Sequence, residues 1–274
     1  MNLMDSGRLS NIGRVASPEQ WLRRWPRRPA ATLQIVCFPH AGGSASAFRG
    51  WTAHLPPAVE LVAVQYPGRE DRFGEPMVDD MAELVDAVAD ALAATLDRPH
   101  VLFGHSMGSA VAYETAQELR RRGVAGLRRL VASGREAPVR RRGGTVHAGD
   151  DDVLCAELSR LGGTAAEVLA DSELRRAVLG YVRNDYRLIE TYTPHPAPPL
   201  GCPVTVFTGA DDPELSAADA RAWAPLGDGT ADVETFPGGH FYLTAQRARV
   251  VAALLRRLDP ALVGPVGTTV PSTP

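Results

Sequence analysis

HVLFGHSMGSAVAYETAQELRRRG, residues 100–123, is the stretch whose reading decides the fold. It opens as an apolar run of strand length and continues, from Met107, with helical spacing up to Gly123, a fitting C-cap. Between the two halves Gly104, Ser106 and Gly108 form G-x-S-x-G. Small residues here permit a tight strand-to-helix turn that pushes a serine hydroxyl clear of the backbone. The turn also sets that hydroxyl near a helix N-terminus, where developing negative charge is stabilised. The pattern alone is modest evidence. A strand before it and a helix after it make Ser106 a candidate nucleophile.

Working outward, LQIVCF (33–38), ELVAVQY (60–66), LRRLVASG (127–134), PVTVFTG (203–209) and DVETF (232–236) also read as strands. Helical patterns separate them. In residues 79–96 Met81, Leu84, Val85, Val88 and Leu92 fall on one face, with Asp79 or Asp80 as N-cap. Such alternation predicts an α/β protein with a mainly parallel central sheet flanked by helices. One interval breaks the rhythm: residues 139–201 are far longer than a single crossover helix needs. Helical patterns over 151–161 and along Leu174, Val178, Val182, Tyr186 and Ile189 predict a helical lid insertion there. Residues 1–30 are expected to form a loosely held arm, 31–260 the domain, and 261–274 a disordered Pro/Gly/Thr-rich tail.

Composition narrows the function. The 274 residues are 45% hydrophobic and 22% charged, an ordinary globular profile. A formal net charge of −3 gives no concentrated positive field, so no nucleic-acid partner is expected. All 29 basic residues are arginine, which excludes lysine Schiff-base chemistry and a Walker-type phosphate loop. Cys37, Cys155 and Cys202 are odd in number and in no metal spacing, so free thiols in a reducing compartment are expected. The start of the chain lacks the apolar core of a signal peptide, and no run of about 18 apolar residues exists. A cytoplasmic protein, without membrane contact, is the expectation.

A serine needs a base, and the base an orienting acid. Of seven histidines, His240 sits in the glycine-flanked loop PGGHF after the last predicted strand. That is where the order nucleophile, acid, base puts the histidine of an α/β-hydrolase fold. His105 adjoins Ser106 but points elsewhere on a sharp turn; His40, His54 and His100 precede it; His147 and His195 lie in or beside the lid. For the acid, FTGADDPEL offers Asp211 and Asp212, of which Asp212, directly before Pro213, is preferred. The oxyanion donors should be the backbone N–H of Met107 and that of Ala41 in the glycine-rich loop FPHAGGSASAF.

FPHAGGSA (38–45), QYPGREDR (65–72), FGHSMGSAVAYE (103–114), LGGTAAEVL (161–169), FTGADDP (207–213) and FPGGHFYL (236–243) stand in an order and spacing of their own. Together they resemble the type II thioesterases of polyketide and nonribosomal peptide assembly lines, over roughly residues 33–258. The resemblance implies hydrolysis of stalled or wrong acyl groups from the phosphopantetheine arm of acyl or peptidyl carrier proteins. It also implies Ser106, Asp212 and His240 as triad, Met107 and Ala41 as oxyanion donors, and a mobile lid. No metal or cofactor is implied. One departure stands out: LGYVRND (179–185) replaces an expected Leu-Pro and Arg-Ala-Asp, and Gly180 should loosen that helix.

The carrier partner would be acidic, so Arg135 and the Arg140–Arg142 cluster are candidates for steering it. A monomer is expected. Rival readings are a general carboxylesterase, an integrated chain-releasing thioesterase, which the start at Met1 disfavours, and an idle hydrolase fold used as a scaffold.

Overall fold

The computed structural model describes residues 17–140, 143–162 and 172–264. Among these residues a single sheet has strands β1 (Leu22–Arg23), β2 (Leu33–Phe38), β3 (Val59–Val64), β4 (His100–His105), β5 (Leu127–Ser133), β6 (Val204–Gly209) and β7 (Ala231–Phe236). Their spatial order is β1-β3-β2-β4-β5-β6-β7. β1 runs antiparallel to β3 and every other pairing is parallel. Every residue of β2, β3, β4 and β6 is buried, which a parallel sheet covered on both faces requires. This is the expected α/β-hydrolase architecture.

The helices that matter for the site are α1 (Pro18–Trp21), α2 (Met81–Ala93), α3 (Met107–Arg121), α4 (Asp151–Leu161) and α5 (Ser172–Thr191). On one face of the sheet α2 lays Leu84, Val88 and Leu92 against Val111 of α3 and the even positions of β2–β4, Val36, Val62 and Leu102. The opposite face packs Ile35, Phe103 and Phe207 against Phe48, Trp51 and Leu254. Asp80 caps α2 by accepting the Glu83 N–H at 2.9 Å, which decides between Asp79 and Asp80. Gly123, at φ +76°, follows the last turn of α3 as expected.

Two ends of the chain are better ordered than their composition predicts. From Ser17 onward the expected loose arm is a strap: Trp21 and Leu22 are buried, and the Arg72 guanidinium lies 4.2 Å from the Trp21 ring centre. Arg28 donates to the carbonyls of Leu55, Pro56 and Val59, so its guanidinium satisfies backbone acceptors beside β3. At the other end Pro260–Val263 form a helical turn capped by Asp259, and Val263 is buried. The described residues thus continue past Pro260 to Gly264; the rest of the expected tail lies outside them.

The lid is present as α4 and α5, joined by a small cluster of Leu154, Leu158, Leu179 and Val182. Leu174, expected on the apolar stripe, is exposed, and the stripe instead contains a buried carboxylate, Asp185. Gly180 does not break α5, which runs through it as one 20-residue helix. Apart from Leu161 and Gly162, the LGGTAAEVL motif lies outside the described residues.

β7, at the far edge, exposes Asp232 and half-buries Glu234, and both carboxylates pair with Arg257.

Candidate active site

β2 and β4 end side by side, with Phe38 in register with Gly104. The chain then turns at Ser106, whose φ of +52° and ψ of −122° are those of a strained, non-glycine left-handed turn. The flanking glycines are required by contact. A Cβ on Gly104 would lie 2.1 Å from the Gly108 carbonyl oxygen, and one on Gly108 would lie 2.1 Å from the Phe38 oxygen. The start of α3 is thereby pressed against the end of β2. That contact sets Met107, at the first turn of α3, beside the loop Pro39–Gly43 that contains Ala41. Among the described residues the Ala41 N–H donates to no other group.

The candidate base and the candidate acid meet through a second close approach. A Cβ on Gly209, at the end of β6, would lie 2.3 Å from both the Gly238 and Gly239 oxygens. The loops carrying Asp212 and His240 are thus held backbone to backbone. His240 Nδ1 lies 3.0 Å from each Asp212 carboxylate oxygen, with both side chains buried. Beside a carboxylate that nitrogen must carry the proton, which leaves Nε2 as the free lone pair. Asp211, the alternative acid, is exposed and uses its backbone N–H on Gly238. Asp212 Oδ1 also accepts the Glu214 N–H at 2.9 Å, which fixes the carboxylate plane.

Ser106 follows His105 directly, and the His105 and His240 rings are 5.0 Å apart. Gly134 lies between them, with a Cβ there 3.2 Å from both Asp212 Oδ2 and His240 Cε1. His240 Nε2 is buried and makes no hydrogen bond, to Ser106 or to any other described residue. Apo sites commonly tighten this contact only when substrate is bound.

His40 and His105 complete a cluster of three imidazoles. Burial, the nearby His240 and Arg69 lower the His40 pKa to about 3. Burial, followed by His240 and His40, pushes His105 well below the usual histidine range. Both stay neutral near pH 7, and His240 is the member of the cluster that touches a carboxylate. His105 Nδ1 meets Ser133 Oγ at 2.9 Å, and that hydroxyl meets Tyr242 Oη at 2.7 Å.

The remaining candidates fall elsewhere. His147 Nδ1 pairs with Glu190 inside the lid at 2.6 Å, His54 and His195 are exposed, and His100 Nδ1 sits 3.3 Å from the Arg98 carbonyl. Arg135 is not a free steering charge, because its guanidinium lies 3.7 Å from Glu136 and is largely covered. Arg140 is exposed, whereas Arg141 and Arg142 lie outside the described residues. A cleft of about 790 Å³ between α2, α3 and residues 191–198 is lined by none of Ser106, Asp212 or His240. Among the described residues no cluster of His, Cys, Asp and Glu is arranged to hold a metal, and no helix is long and apolar enough to cross a membrane.

Sequence reasoning missed two residues at this site, Arg69 and Asp185. They form a buried ion pair at 2.5 Å beside the Ala41 loop. The available signal was an aspartate at helical spacing within the lid stripe, three residues after Val182 and four before Ile189.

Known proteins are similar to this chain over most of its length. The thioesterase-domain family matches residues 33–261. A Streptomyces griseus protein named "Probable cadicidin biosynthesis thioesterase" is 45% identical over 246 residues, spanning 90% of this chain and 68% of its own length. Thioesterase PikA5 of Streptomyces venezuelae is 40% identical over 82% of this chain and 81% of its own. Among solved structures, the type II thioesterase BorB from the borrelidin biosynthetic cluster superposes with a TM-score of 0.80 at 43% identity, over 88% of this chain and 98% of its own. The match over most of the chain, on an α/β-hydrolase frame with a serine elbow, means that this chain belongs to the thioesterase family of enzymes, hydrolases of thioesters.

Proposed function

We propose that this protein is a type II, editing thioesterase: it removes stalled or wrong acyl groups from the phosphopantetheine arm of carrier proteins in a polyketide or nonribosomal peptide assembly line. The observation that carries the reading is the His240 imidazole held through Nδ1 by both Asp212 oxygens, in the ring cluster beside the Ser106 turn. Relatives named for such pathways support the substrate class.

In this reading Ser106 Oγ attacks the thioester carbonyl carbon while His240 Nε2 takes its proton. The carbonyl oxygen becomes an oxyanion held by the N–H groups of Met107 and Ala41. Collapse breaks the C–S bond. The pantetheine thiol has a pKa near 8.5, so it leaves readily and recovers the proton from His240. Water then attacks the acyl-serine carbonyl, giving a proton to His240; breakage of the C–O bond frees the carboxylic acid and returns that proton to Ser106. No step calls for a metal or cofactor. Asp212 stabilises the imidazolium that forms twice per turnover.

The carrier protein is the partner, a monomer is the working state, and three free cysteines suit a reducing cytoplasm. Exposed Arg140 beside the lid supplies a positive charge for an acidic carrier. Its reversal to glutamate is expected to raise KM for carrier-bound substrate and leave KM for a small pantetheine thioester alone.

The deciding experiment compares kcat/KM for a graded acyl series, acetyl to long chain, on a carrier protein and on a pantetheine mimic. Faster release from the carrier, abolished in Ser106→Ala, is the expected result. Preference for simple nitrophenyl esters would replace this reading with a general carboxylesterase.

A further inference from the structure

The loop that contains Ala41 is held by a segment to which the chemistry above gives no task, QYPGRE (65–70). Gln65 Oε1 accepts the Ala45 N–H at 3.0 Å, and Gln65 Nε2 donates to the Arg69 carbonyl at 3.3 Å. Glu70 Oε1 accepts from the Ser44 and Ser46 hydroxyls at 2.7 and 2.5 Å. Arg69 donates to the Gly43 carbonyl at 3.1 Å. Glu70 sits at φ +48°, and among the described residues Ser106 is the other non-glycine residue with a positive φ. Strain of this kind persists where surrounding contacts hold it.

The lid completes the clamp. From α5, Asp185 accepts the Gly42 N–H at 2.8 Å and takes a two-pronged contact from Arg69, at 2.5 and 2.8 Å. Val182, one turn earlier, lies against Gly42, where an added Cβ would meet Val182 Cγ2 at 2.7 Å. Tyr181 of the same helix lies 5.0 Å from the Arg69 guanidinium. Both members of the Arg69–Asp185 pair are almost wholly buried. One carboxylate of the lid thus fixes the Ala41–Gly42 peptide plane through its N–H, and only the φ and ψ of Ala41 separate that plane from the adjoining one that carries the Ala41 N–H.

We propose that Arg69 and Asp185 are positioning residues for the oxyanion loop, so that α5, seated over the site, sets the Ala41 N–H for the transition state. The inference rests on the reading of Ala41 as an oxyanion donor. It assigns the lid a share in the chemical step in addition to covering the substrate.

The test uses the full chain and a nitrophenyl ester as common substrate, so that it stands even where a carrier-bound thioester is refused. The double variant Arg69→Met/Asp185→Leu replaces a buried ion pair with apolar side chains, an exchange that proteins often accept without loss of stability. Expected are a Tm within a few degrees of wild type, a kcat lowered about 100-fold by the displaced donor, and a KM little changed. Affinity for a trifluoromethyl ketone, which forms a tetrahedral oxyanion adduct on Ser106, should fall by the same factor as kcat/KM. Wild-type kcat, or a kcat loss without the parallel loss of adduct affinity, overturns the proposal. Should the double variant not fold, Asp185→Asn is read the same way, with a smaller parallel loss expected and an unchanged kcat overturning it. A wild type that cleaves the ester but no carrier-bound thioester refutes the editing reading and leaves this one intact.

Discussion

Gly108 and Gly180 both lie inside helices, one at the serine turn and one in the lid, and they have opposite meanings. Gly108 is pressed onto the Phe38 carbonyl so closely that no side chain fits. Around Gly180 nothing lies within 4 Å of an added Cβ. The serine turn is built by backbone surfaces in contact, where a single methyl group is a collision. The lid is built by a few polar anchors and a four-residue apolar cluster, where the same methyl group meets open space.

The contrast can be broken at several points. Gly108→Ala should destabilise the protein by more than about 4 kcal/mol, as severe core overpacking does; a normal denaturation midpoint would show that the turn is slacker than described. Leu102→Ala, at a fully buried position of β4, should cost about 3–4 kcal/mol by cavity formation in urea unfolding. Leu158→Ala, in the lid cluster, should cost about 2 kcal/mol and leave the unfolding of the sheet unchanged.

Acid provides a gentler probe of the same inequality. His40 and His105 are held neutral by burial, with folded pKa values below the unfolded one, so the unfolded chain binds more protons as pH falls. Stability should therefore be full above about pH 6.5 and decline steadily as pH falls toward 3. His40→Asn should flatten that decline in a series of unfolding curves; an unaltered slope would mean His40 is not held neutral. The smallest effect expected is Gly180→Ala, a gain of about 0.5–1 kcal/mol from a less flexible unfolded chain and a better helix former. A loss there would mean α5 depends on freedom at Gly180.

The same division explains what could be read from the chain alone. Strands β2–β7 and the Ser106 turn were legible because periodicity and small-residue spacing are local properties of sequence. Asp212 and His240 stood out through their order after predicted strands, and the fold brings these two side chains to 3.0 Å. Arg69 and Asp185 were not. They are 116 residues apart, and nothing in either neighbourhood announces an ion pair until the fold closes. β1 was missed because two residues give no period to detect. The ordered strap from Ser17 to Ala30 was missed for another reason: a polar stretch closing on RRWPRRP reads as a loosely held arm, and Arg28 instead donates to the Leu55, Pro56 and Val59 carbonyls beside β3.

That strap has a consequence for how crowded molecules of this protein meet. A parallel sheet ends in bare rows of N–H and C=O groups, which invite strands from other molecules and so aggregation. Here β1 and Arg28 cover the outer side of β3, while the opposite edge, β7, displays carboxylates already engaged by Arg257. One margin is occupied and the other is charged. At high concentration a strand from a neighbouring molecule would meet an occupied margin on one side and a charged one on the other.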